Sequence, residues 1–580
     1  MANYNSEHIS PDFFSAFFMF PFGFPFDKWE NVSRIFDKVN GWEERQYDLS
    51  DGLEYNEYVY FYPYIRSIIF GTRETEKAYG VSFFRNLKIK NGKDGKSNAY
   101  YEVQNDNFAK KRVKLPLKNI FLHLFDTGVG ILVFEIEHDS TKANERLALC
   151  DYLFFLSNGR RVYLPFVFPD AKKRKGDWFC SEAFDWEKDG RSNAIKELEC
   201  ASHVRLFVDD KLIVEHPFNE PFEIHTPKTQ KADNERPTFW PPISQVITEF
   251  LDVPDQEFVY KNYDYWPIID DRMLVHSFYS ISGNRKDELM PWANKTFLNG
   301  LKGFLNEDVL KSKRNSAADV WYQMIFIDLK NPSCQNDQML KRIINESSYN
   351  RWSNSGTFFG FSRFSSVTIS NYNVVRYVYN HFQSMYYQIA ILLLFYRGAL
   401  LTFSHRSEIL AKTIHGRGRK GLGGNFLNHL QRLHEDFILF RNKYWFREVT
   451  AQDQGIEMFD VWSRKLRNKE LLEDVQAEIK ELYLYVESAN EKNISKKINI
   501  LTFIGALFLP IVIATSFFGM NFALIDEDVM TNFVIRIVSR AFGLNLGPVW
   551  GEVTTFIAIT VIVSILLVTA YFVLRKPWKT

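Results

Sequence analysis

The chain changes rhythm twice. Up to Pro332, apolar and aromatic residues come in short runs that alternate with polar ones, as half-buried strands do. Ile120–Glu137 (IFLHLFDTGVGILVFEIE) predicts a hairpin turning at Asp126-Thr127-Gly128. DYLFFLSNGRRVYLPF repeats that grammar, with Asn158-Gly159 at the turn, and predicts a second. Tyr58–Gly71 (YVYFYPYIRSIIFG) and Asp271–Ile281 (DRMLVHSFYSI) predict further strands. The opening run FFSAFFMFPFGFPF (Phe13–Phe26) lacks a basic n-region and is broken by Pro21 and Pro25. It therefore predicts an aromatic strand or edge segment and not a signal peptide. Lys172–Lys175 and the proline-rich 227–242 region predict solvated loops.

Beyond Pro332 the rhythm turns helical. Of 20 prolines, 17 lie at or before Pro332 and the next is Pro510, so the stretch between is free of the residue that breaks helices. Leu427, Leu430, Phe437 and Tyr444 mark one amphipathic face. Leu472, Val475, Ile479, Leu482, Val486 and Ala489 follow alternating spacings of three and four. That seam fits a coiled coil and a helix packed on its own domain equally well. No helix breaker separates it from Ile498, so one helix is expected to run from the seam into the apolar segment that starts there.

The third rhythm is uninterrupted apolarity. Ile498–Phe518 has 21 residues without a charge and Val553–Leu574 has 22, each enough to cross the ~30 Å hydrocarbon layer as a helix. Ile389–Tyr396 is shorter and is stopped by Arg397, which predicts a soluble core helix. Lys492, Lys496 and Lys497 precede the first span, and Arg575, Lys576 and Lys579 follow the second. Only Arg536 and Arg540 lie between, which predicts cytoplasmic N- and C-termini.

Composition narrows the class. With 71 Lys+Arg against 70 Asp+Glu, the net charge of +1 gives no electrostatic argument for nucleic-acid binding. The four cysteines, Cys150, Cys180, Cys200 and Cys334, are widely spaced. They fit neither a zinc site nor a dense disulfide framework, and suggest a reducing compartment for most of the chain. No H-E-x-x-H, P-loop or nucleophile elbow appears, and an enzyme is not expected. HGRGRKGLGG contains Gly416-x-Gly418-x-x-Gly421, but after a helix-like segment instead of a strand. A helix–helix loop is expected there, with a phosphate-holding loop of Arg417, Arg419 and Lys420 as the lesser alternative.

The resulting organisation is an α+β cytosolic domain followed by a long stalk helix and two C-terminal transmembrane helices. Its segments are an α/β domain (1–332), a helical region (333–464), a stalk (465–497) and a first span (498–521). An extracytoplasmic loop (522–552), a second span (553–574) and a basic tail (575–580) complete it. Two spans cannot enclose an aqueous path, so any pore needs several copies. On the first span Ser495, Ile498, Thr502, Leu509, Val512 and Ser516 recur near a 3.6 spacing, a mostly apolar lining suited to gating by dewetting.

LTFIGALFLPIVIATSFFGMNF, with Pro510 inside and Gly519-Met520-Asn521 at its end, resembles the first transmembrane helix of the CorA family of magnesium transporters. The second span, ending FVLRKPW, is similar to that family's C-terminus, and the close resemblance covers roughly 465–580. The resemblance implies a homopentamer in the inner (cytoplasmic) membrane, lined by five first spans, with Gly519, Met520 and Asn521 as selectivity filter. Mg²⁺ surrenders its water reluctantly, so five Asn521 carboxamides would hydrogen-bond the hydrated ion. Ile498, Leu501 and Leu509 would be constrictions, and Asp526, Glu527 and Asp528 would concentrate divalent cations at the mouth. Val512 stands where the family usually has threonine, Ser495 where it often has asparagine, and ALIDED replaces the family's MPEL. These departures bear on ion selectivity more than on architecture. The aromatic hairpins, FDTGVGILVFEIE among them, are similar to those of CorA-like effectors associated with type III CRISPR loci. That likeness implies the alternative: a membrane effector of antiviral defence gated by a nucleotide second messenger, such as an S-adenosylmethionine–AMP conjugate.

Overall fold

The computed structural model describes residues 5–24, 41–70, 81–92, 96–105, 111–140, 145–161, 201, 203–217, 266–269, 272–282, 291–329, 331–371, 375–417 and 424–519. Residues 536, 540, 561 and 565 are also described. Two compact units divide the chain: Met1–Ala411 with Arg432–Ile479, and Lys412–Gln431 with Lys480–Thr580.

The first unit is built on a 13-stranded mixed sheet whose long path runs β11-β12-β13-β10-β1-β6-β5-β4-β7-β8. Its strands are β1 (Phe13–Gly23), β2 (Trp42–Glu44), β3 (Val81–Asn86), β4 (Ala99–Gln104), β5 (Arg112–Phe125) and β6 (Val129–Asp139). They continue with β7 (His203–Val208), β8 (Lys211–Pro217), β9 (Trp266–Pro267), β10 (Leu274–Ser280), β11 (Ser348–Tyr349), β12 (Phe358–Phe361) and β13 (Ser365–Ser370). All described pairings are antiparallel except β10–β13.

β1 shows why the aromatic run folds as it does. Phe14, Ala16, Phe18, Phe20 and Phe22 enter one core and Phe17 and Met19 the other, the period of two of a strand buried on both faces. β1 is a central strand and not the edge its prolines suggested: it pairs β6 from Phe13 to Gly23 and β10 from Phe13 to Met19. Pro21 is tolerated because it falls in a gap on the β10 side, past Met19↔Leu274 and before Phe22↔Pro267. Its carbonyl still accepts from the Ile268 amide there (3.3 Å), so the missing N–H leaves no ladder partner unpaired.

Helices cover both faces. On the first face lie α3 (Leu149–Gly159), α4 (Pro291–Asn306), α5 (Ser316–Phe326) and α6 (Asp337–Ser347). On the second lie α1 (Gly52–Tyr60), α2 (Pro63–Ile69), α7 (Val375–Gln383), α8 (Met385–Arg417), α9 (Gly424–Lys443) and α10 (Asp453–Leu466). The start of α11 (Asn468–Gly519) joins that face.

The β5–β6 hairpin forms as expected, with Gly128 at φ +85°, and β10 lies where a strand was expected. Three expectations fail. The described part of Tyr58–Gly71 is mostly helical: the Asp51 carboxylate accepts from the amides of Leu53 (2.8 Å) and Glu54 (3.0 Å) to start α1, and Pro63 starts α2. The expected second hairpin is α3 up to Gly159, and Asp151 accepts from the Ala148 amide (2.9 Å) at its start. Its apolar run is buried all round, and such a run has no period that separates strand from helix. Nor does the sheet stop at 332, since β11–β13 lie inside the region expected to be helical. Missing prolines permit a helix but do not forbid a strand, and SSVTIS keeps a strand's β-branched character.

α8 is the core helix expected from Ile389–Tyr396, and every residue of that run is buried. Among the described residues, one helical stretch, Arg376–Ile414, is long and apolar enough to cross a membrane, and 89% of its apolar window is buried inside the protein. In the seam, Leu472, Val475 and Ile479 are buried in the second core, so this part of it packs on its own chain. In the second unit, Val486 is buried and Leu482 half-buried.

Candidate pore helix and buried polar sites

α11 is one unbroken helix over its 52 described residues, Asn468–Gly519. Its character changes along its length. Past Val486, no described side chain of α11 is buried, although the residues become more apolar. Ile498, Ile500, Leu501, Ile504, Phe508 and Leu509 are all exposed, Leu501 by 69%. Ser495, Thr502, Val512 and Ser516 are exposed on the same helix, and the Thr502 hydroxyl donates to the Ile498 carbonyl (2.8 Å). Backbone capture of that hydroxyl makes a threonine compatible with apolar surroundings. Thus the expected lining residues Ser495, Ile498, Leu501, Thr502, Leu509, Val512 and Ser516 share one helix and are all exposed. Met520, Asn521, Asp526, Glu527 and Asp528 lie outside the described residues, as do Arg419 and Lys420. Arg417 is the last residue of α8. Of the second span, Val561 and Ile565 are described, both helical and exposed.

Sequence reasoning missed three polar clusters inside the first unit. In one, the buried Glu57 carboxylate accepts from Gln388 Nε2 (2.8 Å) and the Tyr47 hydroxyl (3.2 Å). Burial raises its pKa, and Arg45 partly opposes that. Nearby, His123 Nε2 pairs with the Tyr387 hydroxyl (2.7 Å), with its ring stacked on Phe83 (4.2 Å). Burial, helped by Arg45, lowers its pKa to about 3 and keeps it neutral.

The second cluster follows a bulge between Leu117 and Asn119 in β5. Asn119 donates to Glu135 (2.5 Å), Lys118 pairs with Glu137, the Tyr379 hydroxyl donates to Glu137 (2.6 Å), and Gln383 donates to Glu135 (3.1 Å). Burial raises the Glu135 pKa, with Lys118 opposing. Each carboxylate here has partners, and the arrangement fastens α7 to the sheet. The signal was present in FEIEHD, where glutamates alternate with apolar residues late in an otherwise apolar strand.

The third cluster is cationic. Arg397 on α8 is 7% exposed, and its Nη1 donates to the Leu466 carbonyl at the end of α10 (2.5 Å). Arg467 closes α10 in the left-handed region at φ +55°. Asn468 opens α11, and its buried side chain donates to the Leu393 carbonyl of α8 (3.0 Å). Burial, then Arg363 and Arg467, lower the Arg397 pKa to about 10. WSRKLR, just before the seam, was the available sequence signal.

No protein family matches the chain, and no curated protein matches it either. The class defined by the described residues is a mixed α/β protein with one large sheet, helices on both faces, and a long helix whose described apolar part is exposed.

Proposed function

We propose that the protein is a membrane channel or transporter for divalent cations, Mg²⁺ foremost, formed by five copies and gated by its large N-terminal unit. The observation that carries this reading is the exposed apolar end of α11. Ile498–Gly519 is ~33 Å long at 1.5 Å per residue, which matches the hydrocarbon thickness of a bilayer. Exposed side chains such as Ile498, Ile500 and Leu501 need lipid or other copies of the helix as surroundings. Gly519 would free the backbone to turn after the helix and present Asn521. On this reading Gly519, Met520 and Asn521 form the filter, and Asp526, Glu527 and Asp528 attract cations to it. The second span, Val553–Leu574, packs outside the ring, and both termini face the cytoplasm. The test is Mg²⁺ flux into liposomes: Asn521→Ala is expected to cut or derange it, and unchanged flux refutes the reading.

A second reading, a CorA-like effector gated by a nucleotide messenger, is favoured by the cationic cluster at the start of α11. Thermal stabilisation of the detergent-solubilised protein separates the two. Millimolar Mg²⁺ alone stabilises a transporter with metal feedback, whereas a micromolar adenylated nucleotide stabilises a messenger receptor.

A further inference from the structure

We propose that Arg363, Arg397 and Arg467 form a binding site for the phosphate group of a soluble phosphate ester, at the junction of α10 and α11. A buried guanidinium ordinarily meets a carboxylate or has its N–H groups satisfied, because an unpaired buried charge is costly. Two other arginines of the first unit meet carboxylates: Arg45 pairs with Glu54 (3.0 Å) and Arg406 with Asp436 (2.6 Å). Arg397 does not. Its Nη1 has the Leu466 carbonyl, while Nε, equally buried, finds no acceptor among the described residues.

The surroundings deepen the deficit. Arg467 directly follows Leu466, and Arg363 lies in the turn between β12 and β13; both are exposed and neither makes an ion pair among the described residues. After burial, these two cations lower the Arg397 pKa further. The end of α10 supplies a negative dipole, but its Leu466 carbonyl is already engaged by Arg397. One buried and two exposed guanidiniums supply the donors that the several acceptor oxygens of a phosphate take, since guanidinium forks bind phosphate in paired hydrogen bonds.

The site adjoins the proposed pore helix. Arg467 directly precedes Asn468, and Asn468 is held by Leu393 one turn before Arg397 on α8. A phosphate at Arg397 and Arg467 therefore touches the first turn of α11. A role in gating rests on the reading of the protein as a nucleotide-gated effector; the binding itself does not.

The experiment uses the full-length protein in detergent, with melting temperature as readout. Inorganic phosphate is titrated against chloride at matched ionic strength, and AMP against adenosine. Phosphate and AMP are expected to raise the melting temperature saturably, and chloride and adenosine to leave it unchanged. Arg363→Gln with Arg467→Asn is expected to weaken both ligands about tenfold or more. Both positions are on the surface and Asn tolerates the left-handed backbone, so this variant should melt like the wild type without ligand. An unsaturable response shared with chloride overturns the proposal, as does adenosine matching AMP, or a variant that responds like the wild type. Cation flux is not measured, so a failed titration leaves the channel reading standing, and failed flux leaves the phosphate site standing.

Discussion

α8 and the distal half of α11 are both apolar enough to be mistaken for each other, and a pair of leucines tells them apart. Leu393 on α8 is 0% exposed and belongs to the second core, among Phe395, Leu400 and Trp462. Leu501 on α11 is exposed. Leu393→Ala removes three buried carbons and leaves a cavity in a close-packed region, for which about 3 kcal/mol is expected. Leu501→Ala removes a side chain that contributes little to the first unit, so its effect there should stay within about 0.5 kcal/mol. For a cooperative unit of this size, 3 kcal/mol corresponds to a fall of about 3 °C in melting temperature. Trp42, Trp321 and Trp462 are fully buried in the first unit, so tryptophan fluorescence in a thermal ramp reports its unfolding. The reasoning is refuted if Leu393→Ala melts with the wild type while Leu501→Ala melts early. The two helices would then exchange roles, and a pore lined by α11 would lose its support.

Two further outcomes are expected from the packing and the titrating groups of the same unit. A Cβ at Gly130 would sit 2.3 Å from the Phe22 ring across the β1–β6 pair, so Gly130→Ala should cost about 1–3 kcal/mol. Adding Phe22→Leu should recover part of the loss in a double-mutant cycle, and strict additivity would contradict the contact. His123 and His276 are both lowered to about 3 by burial, against ~6.5 when unfolded. Between those values the unfolded chain binds protons that the folded one refuses, so stability falls as pH drops below ~6.5. Each histidine contributes ~1.4 kcal/mol per pH unit. Urea titrations of His123→Gln/His276→Gln should show a shallower acid slope, and an unchanged slope would falsify the assignment.

How far the sequence could be read depended on whether local pattern or surroundings decide a segment. The β5–β6 hairpin was legible because Asp126-Thr127-Gly128 sets the turn and the flanking residues have one reading. α3 was not: YLFFL is apolar at every position, and only burial on all sides makes it a helix. β1 was legible as a strand but not as a central one, because a proline's acceptability depends on a gap between β10 and β9 that only the assembled sheet contains. Arg397 looked like no more than an interruption of an apolar run. Its neighbours Arg363 and Arg467 come from a β-turn and a helix end far away in sequence, so no spacing rule could bring the three together.

The same distinction bears on function. Hydropathy alone ranks α8 and the end of α11 together, and the sheet separates them. α8 faces the second core along Ile389–Tyr396 and is spent on folding, which leaves its apolarity fully explained. α11 uses Leu472, Val475 and Ile479 against that core, and after Val486 none of its described side chains is buried while its composition turns apolar. Apolar surface that folding leaves exposed calls for another environment, and a helix whose exposed apolar end is of bilayer length suits a bilayer and copies of itself. Asn468, tied to α8 at the buried end of the same helix, gives that environment a physical link to the first unit. A ligand that shifts Asn468 or Arg467 acts on the helix proposed to line the pore, with no contact to the pore required.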